Sequence, residues 1–216
     1  MDVMDKYTET FNTWNSIAQQ YQDKFMQLSL YNETYDYFID TLHSNTATVL
    51  EIGCGPGMIT HYLLLKKPSF NIHGIDIAPN MIALAKSNNP TASFEVMDGR
   101  HIHQIKSTYD GIIGGFCVPY LSPEDVIQLL ANAYSLLNNE GILYLSFVEG
   151  EHSQSGFQVG STGNRCYFYY HSLATIEAAL IDHQFQLLKT FKVEYQSNET
   201  VSEMHTILIA QKMKPL

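Results

Sequence analysis

One segment constrains this chain more than any other: Thr48-Val49-Leu50-Glu51-Ile52-Gly53-Cys54-Gly55-Pro56-Gly57, an apolar run that breaks into three glycines spaced two apart. Such a break marks the end of a buried strand, where the backbone must turn tightly around something that approaches it closely. An acidic residue follows at Asp76, inside His73-Gly74-Ile75-Asp76-Ile77, after a stretch long enough for one helix and one strand. A glycine-rich turn, a helix and then a strand ending in a carboxylate describe a nucleoside site, with backbone at the turn and the carboxylate on ribose hydroxyls.

The pattern on either side of the turn sets the fold class. Phe11, Trp14, Ala18, Tyr21, Phe25 and Leu28 recur at intervals of three and four, the stripe of an amphipathic helix, and a second helix is predicted from Asn32 to Leu42. Short apolar runs then alternate with helical patterns: strand 48–52, helix 57–65, strand 70–76, helix 79–87, strands 92–97 and 109–114, helix 123–137 and strand 141–148. Strands separated by helices imply right-handed parallel crossovers and a sheet covered on both faces. Pro79 fits a first helical turn, and Ser122-Pro123-Glu124-Asp125 supplies a cap, a first-turn proline and acids that complement the helix dipole. Asn138-Asn139-Glu140-Gly141 is a helix stop. Residues 151–166 are rich in turn formers and read as a surface loop with room for a hairpin. A helix from Ser172 to Asp182 follows, then strands 185–195 and 202–211, made antiparallel by the short turn Gln196-Ser197-Asn198-Glu199.

Charge and cysteine usage limit the partners. There are 12 Lys and Arg against 22 Asp and Glu, a formal net charge of −10, and no basic run tracks a phosphate backbone, so a nucleic-acid substrate is disfavoured. Cys54, Cys117 and Cys166 are an odd set without CxxC spacing, which indicates neither a disulfide framework nor a zinc site and fits a reduced, cytoplasmic setting. The N-terminal Met1-Asp2-Val3-Met4-Asp5-Lys6 lacks the apolar core of a signal peptide, and no stretch approaches the roughly 20 apolar residues of a membrane span. With 216 residues, one domain is expected, as a monomer or homodimer: 1–45 an N-terminal helical lid, 46–150 the binding core, 151–216 a substrate-side loop, helix and hairpin.

A dinucleotide fingerprint needs G-x-G-x-x-G, and here Met58 stands where its third glycine belongs. The pattern is E-x-G-x-G-x-G instead. Val49 to Gly57 resembles the first motif of class I S-adenosylmethionine-dependent methyltransferases; Gly74-Ile75-Asp76-Ile77-Ala78-Pro79-Asn80-Met81 resembles the second, Phe94-Glu95-Val96-Met97-Asp98-Gly99 the third, and Tyr109-Asp110-Gly111-Ile112-Ile113-Gly114 the fourth. The resemblance covers most of the chain. It implies a Rossmann-like α/β three-layer sandwich, a seven-stranded mostly parallel sheet with an antiparallel C-terminal hairpin strand, plus the N-terminal lid.

The same resemblance implies roles. Gly53, Cys54, Gly55 and Gly57 would bring backbone close to the amino-acid portion of S-adenosylmethionine, and Asp76 would accept from its two ribose hydroxyls. Asp76 also reads as a helix N-cap before Pro79. Ile77, Met81 and Met97 are expected on the adenine faces, with plain core packing as the competing role. Asp98 resembles the acid that accepts from the adenine amine, with the Gly99 amide on a ring nitrogen; a loop Asp-Gly turn is the alternative. Glu51 is expected near the cofactor's ammonium or behind it, and Phe116 beside the cofactor. Tyr7 and Tyr21 are expected to reach the cofactor's carboxylate or cover the acceptor, since the family closes its cleft with N-terminal helices.

The expected reaction is in-line methyl transfer to a small-molecule O, N or C nucleophile, with S-adenosylhomocysteine as product. Tyr120, Tyr169 and His171 are the candidates for a base, and His is better matched to neutral pH, with an unperturbed pKa of about 6.5 against about 10 for Tyr. If Tyr167-Phe168-Tyr169-Tyr170-His171 is extended, Tyr167, Tyr169 and His171 share a face. His101-Ile102-His103 offers two metal ligands on a strand face, but no third accompanies them, so no metal is expected. The alternatives are a non-catalytic S-adenosylmethionine-binding protein or subunit, an aminopropyltransferase, which would show an acidic pair absent near Cys117-Val118-Pro119, and an NAD-binding Rossmann protein.

Overall fold

The computed structural model describes residues 5–160, 163–196 and 202–214. Three helices come first, α1 (Lys6–Ser16), α2 (Ala18–Phe25) and α3 (Asn32–Thr41). Strands and helices then alternate through β1 (Thr48–Ile52), α4 (Met58–Lys66), β2 (Asn71–Asp76), α5 (Pro79–Asn88), β3 (Ser93–Val96), β4 (Tyr109–Gly114), α6 (Pro123–Leu136) and β5 (Leu137–Val148). A hairpin of β6 (Gly156–Val159) and β7 (Arg165–Phe168) precedes α7 (Leu173–Asp182), β8 (Phe185–Gln196) and β9 (Ser202–Lys212).

Seven strands form one sheet in the order β3-β2-β1-β4-β5-β9-β8, in which β1 to β5 run parallel and β9 lies antiparallel between β5 and β8. This is the three-layer architecture expected from the sequence. The apolar runs of β1 and β4 follow from burial on both faces. One face packs Leu50, Ile112 and Leu145 against Leu130 of α6 and Leu180 of α7; the other packs Val49, Ile113 and Tyr144 against Phe38 of α3 and Leu63 of α4. Parallel direction places the residues after β1, β2, β3 and β4 along one edge of the sheet, where such sheets hold their ligands.

The structure corrects three details. The stripe from Phe11 to Leu28 is two helices, not one, with a break at Ile17 (φ −101°, ψ 11°). Asn15 is committed elsewhere: its side-chain oxygen accepts from the Asn80 N–H at 2.9 Å and its carbonyl from Asn80 Nδ2 at 2.8 Å. Ser16 Oγ donates to the Thr13 carbonyl at 2.8 Å, another local bond that competes with the helical ladder. The stop Asn138-Asn139-Glu140-Gly141 ends α6 but falls inside β5. Pairing jumps from Tyr109 opposite Leu137 to Gly111 opposite Ile142, with Glu140 at φ 62°, so the stop becomes a bulge. The loop at 151–166 does contain a hairpin, and β7 ends at Phe168, before Tyr169. The expected alternation nonetheless persists, with Tyr167 and Tyr169 ring centroids 4.7 Å apart and Phe168 and Tyr170 5.0 Å apart. Residues 197–199 of the turn predicted between the last strands, and Met1 to Met4, lie outside the described residues.

Candidate functional site

A cleft with about 990 Å³ of empty space opens at the carboxyl edge of the sheet. Its floor is the turn after β1, where Gly53, Gly55 and Gly57 have φ of 67°, 52° and 81°. Only glycine visits this left-handed region without strain. A Cβ on Gly57 would fall 2.4 Å from Asn89 Nδ2 and 3.3 Å from Ala85, so this glycine seats the turn on α5, where Asn89 Nδ2 donates to its carbonyl at 2.9 Å. Above Gly55 the nearest atom to such a Cβ is Tyr21 Cε1 at 3.8 Å, an ordinary van der Waals contact, so Tyr21 lies over this part of the cleft floor.

Asp76 ends β2 at the cleft wall. One carboxylate oxygen accepts from the Gly55 N–H at 2.9 Å and the other from the Ala78 N–H at 2.8 Å. The carboxylate thus ties the glycine turn to the start of α5, while a carboxylate's roughly four lone-pair positions leave capacity for a ligand. The cap of α5 is Ala78, so Asp76 serves the approach to the helix rather than its cap position. Burial raises the Asp76 carboxyl above its ordinary value, against the lowering effect of its two backbone bonds.

Asp98, after β3, meets a partner that the motif reading did not include. Arg100 Nε donates to its two oxygens at 3.1 and 2.9 Å, Arg100 Nη2 donates at 2.6 Å, and the Arg100 N–H donates at 2.9 Å. Burial acts to raise the Asp98 carboxyl, but these bonds outweigh it and hold the pKa below the usual value. The guanidinium lies 4.0 Å from the centre of the Tyr7 ring, a cation–π contact. Tyr7 in turn donates its hydroxyl to Asp125 and accepts from the Ser122 N–H at 3.2 Å, which latches α1 to the start of α6. The spacing Asp98-Gly99-Arg100 was the available signal for this pairing.

Aromatic side chains make the opposite wall. Trp14 stands edge-on to Tyr21 at 5.4 Å and to Tyr120 at 5.3 Å. Trp14 Nε1 is buried with no hydrogen-bond partner among the described residues. Burial, then the Asp76 charge, pushes the Tyr21 phenol up to about 12; burial likewise raises Tyr120 well above the phenol range. Phe116 has φ 57°, a strained position for a non-glycine residue that costs on the order of 1–3 kcal/mol. Its N–H donates to Ser146 Oγ at 2.8 Å, which holds it there. The helix α1 is fixed over this wall through the hairpin: Thr13 Oγ1 donates to the Arg165 carbonyl at 2.6 Å, the Tyr167 N–H donates to Thr10 Oγ1 at 2.9 Å, and Arg165 pairs with Glu9.

Of the residues singled out from sequence, Tyr21, Gly53, Gly55, Asp76, Ile77, Met81, Met97, Asp98, Gly99, Phe116 and Tyr120 line the cleft, as does Tyr7. The rest stand elsewhere. Glu51 is 1% exposed and spends its carboxylate on Thr60, accepting from the N–H at 3.0 Å and from the hydroxyl, at the first turn of α4. Burial pushes its pKa up to about 8, against the bonds from Thr60. Cys54 packs on Ile82, Ala85 and Phe94. Tyr169 is buried with its N–H on the Pro119 carbonyl at 2.7 Å, and His171 is buried with Nε2 3.1 Å from the Leu121 carbonyl. Neither lines the cleft, because both belong to the strand-like segment that backs the wall formed by residues 117–121. His101 and His103 lie in a 3-10 helix (Gly99–Gln104) rather than on a strand, and among the described residues no three His, Cys, Asp or Glu side chains are placed to hold a metal ion.

Residues 49–141 match the family described as "Methyltransferase domain". The chain is 34% identical over 113 residues to a putative methyltransferase 235L of Invertebrate iridescent virus 6, covering 52% of this chain and 40% of that protein. It is 34% identical over 105 residues to the malonyl-[acyl-carrier protein] O-methyltransferase of Bacillus anthracis (48% and 38% covered) and 35% identical over 99 residues to a trans-aconitate 2-methyltransferase of Escherichia coli (46% and 38%). The matched stretch spans about two fifths of the length of these curated relatives. Among solved structures, a magnesium protoporphyrin IX methyltransferase from Synechocystis PCC 6803 with bound SAM superposes with a TM-score of 0.72 at 19% identity, covering 98% of this chain and 99% of that one. A S-adenosylmethionine-dependent methyltransferase from Clostridium acetobutylicum gives a TM-score of 0.69 at 15% identity, covering 93% and 99%. These likenesses show the fold.

Proposed function

We propose that this chain, which has the class I, Rossmann-like methyltransferase fold and a methyltransferase domain at residues 49–141, binds S-adenosylmethionine in the carboxyl-edge cleft and transfers its methyl group to a small molecule. The observation that carries the reading is Asp76, a half-buried carboxylate at the end of β2 bonded to the Gly55 amide, both of them lining the cleft. When bound, the sulfonium supplies a methyl group already activated for displacement, so the protein has to hold donor and acceptor in line and exclude water. Asp76 would take the ribose hydroxyls, and the turn at Gly53 and Gly55 the amino-acid portion. Ile77, Met81 and Met97 would face adenine, with Asp98 and the Gly99 amide at its edge. Phe116 would sit beside the methyl, with Trp14, Tyr21 and Tyr120 over the acceptor. Glu51, Cys54 and Gly57 would support this turn from behind, and α1 to α3 would act as the lid. In this reading the chain is one domain, a monomer or homodimer, working in the cytoplasm, where free Cys54, Cys117 and Cys166 stay reduced. Among the described residues no helix is long and apolar enough to cross a membrane.

Calorimetry with S-adenosylmethionine and S-adenosylhomocysteine tests the reading. Both are expected to bind, and Asp76→Ala is expected to weaken S-adenosylhomocysteine by about 10- to 100-fold, or about 1.5–3 kcal/mol. Binding of NADH with no affinity for either sulfur compound, or an unchanged affinity in a folded Asp76→Ala protein, refutes it.

A further inference from the structure

On the acceptor side, behind Phe116, lies a histidine for which neither the family motifs nor the cleft lining gives a role. His205, near the start of β9 and opposite Val148 at the end of β5, is 6% exposed. Its Nδ1 lies 2.6 Å from the Tyr31 hydroxyl, and its ring stacks on Tyr195 at 5.1 Å and meets Phe116 at 4.8 Å. Nε2 makes no hydrogen bond among the described residues, but it faces Glu203 Oε2 at 3.5 Å, an ion pair whenever the imidazole is protonated. In the neutral ring such a nitrogen, buried without a hydrogen bond, is costly in a core, which is a reason to look for the group it serves. If Nδ1–H donates to the Tyr31 oxygen, Nε2 carries a free lone pair, the form a base requires.

The charges of the cleft bear on the same question. Among the described residues that line the cleft Arg100 is the one cation, and its guanidinium is committed to Asp98 and the Tyr7 ring. Among the described residues, a carboxylate acceptor would therefore meet no free cation, and would stand against Asp76 and Asp98 and an aromatic wall. A neutral or cationic molecule that still carries an O–H or N–H suits those walls. Such an acceptor must lose a proton, which a carboxylate does not.

We propose that His205 is the acid–base residue of the reaction and that the acceptor is a hydroxyl- or amine-bearing molecule with an apolar or aromatic body. The proposal rests on the methyl-transfer reading above. His205 Nε2 takes the acceptor's proton as the new O–C or N–C bond forms. The electron pair of the breaking C–S bond stays on sulfur, and the positive charge once on the sulfonium ends on the imidazole beside Glu203. Tyr31 fixes the ring, and Phe116, held in a strained backbone conformation, is the side chain that must give way for the acceptor to meet Nε2. Among the described residues, Tyr31, Tyr195 and Glu203 are the titratable groups facing the imidazole.

The test uses the full chain saturated with S-adenosylhomocysteine, with p-cresol, benzylamine and citrate as probes. The imidazole signal of His205 is followed by NMR and assigned by its loss in His205→Asn. p-Cresol or benzylamine is expected to shift that signal and citrate to leave it unmoved. His205→Asn, whose amide NH2 keeps a donor for the Tyr31 oxygen, is expected to weaken the responsive probe about tenfold with S-adenosylhomocysteine affinity unchanged. Glu203→Gln, at a partly exposed position, is expected to move the His205 titration to lower pH, since a carboxylate stabilises the imidazolium. Citrate binding at this signal, silence from both aromatic probes, an undiminished affinity in His205→Asn or an unmoved titration in Glu203→Gln overturns the proposal while leaving the donor site standing. Failure of S-adenosylhomocysteine to bind overturns the donor reading itself, and this proposal with it.

Discussion

On one side of the cleft, residues 53–99 supply a glycine turn, two strand-end carboxylates and the apolar residues beside them, all within one βαβαβ stretch. On the other side, Tyr7, Trp14 and Tyr21 from the first two helices meet Phe116 and Tyr120 from the loop after β4, and the hairpin at 156–168 clamps them from outside. The first side is shaped mainly by backbone: left-handed glycines and N–H groups aimed at Asp76. The second is shaped by side chains, through ring contacts and the latch from Tyr7 to Asp125. A binding surface made of backbone admits few substitutions and presents one fixed shape. A surface made of side chains is open to change, so the donor end of a fold can stay constant while its acceptor end varies.

Three measurements press on that contrast. Gly57→Ala strikes the backbone side hardest: left-handed strain and the collision with Asn89 and Ala85 together are expected to cost about 4 kcal/mol in chemical unfolding. A loss below about 1 kcal/mol would mean that the turn adapts as side chains do, and the contrast would fail. Next comes Glu51, under the same turn. Because burial pushes its carboxyl up to about 8 from an ordinary 4.5, the folded state keeps a proton that the unfolded chain gives up. Stability from this group is full below about 4.5 and is lost as pH rises toward 8. Glu51→Gln is expected to flatten that slope, on the order of 3 kcal/mol, in thermal unfolding measured from pH 5 to pH 8; an equal slope in both proteins counts against a buried protonated Glu51. The smallest effect is on the side-chain wall. Tyr7→Phe removes a hydrogen bond to a carboxylate and is expected to cost about 1.5 kcal/mol, confined to α1, so that its amides exchange faster while those of β1 and β4 do not. Uniformly faster exchange would show that the lid and the sheet unfold as one unit.

Where sequence reading worked, the determinants were close together in the chain. The alternation of strands and helices and the parallel, helix-covered sheet were legible because apolar runs, helix caps and crossover handedness are local or nearly so, and Ser122 caps α6 with its oxygen on the Asp125 N–H as its spacing implied. The reading faltered where a residue's surroundings come from afar. Glu51 was open between the cofactor's ammonium and the amides behind it, and only the fold shows Thr60, in the first turn of α4, claiming its carboxylate. Tyr169 and His171 read as base candidates on a shared strand face, yet the carbonyls of Pro119 and Leu121 draw them behind the wall. His205, 174 residues from the Tyr31 it bonds, carries no local signal at all.

By itself, then, the sequence determined the sheet, the turn after β1 and the carboxylates that end β2 and β3, because glycine's missing side chain and the period of apolar residues act over a few residues. Only the tertiary structure decided that Arg100 occupies Asp98, that the N-terminal stripe breaks at Ile17 to dock on Asn80, and that the far wall is an aromatic one backed by His205. Those outcomes depend on which distant groups meet in a low-dielectric interior, where an unpaired polar atom must find a partner and the chain's order along the sequence no longer says which one.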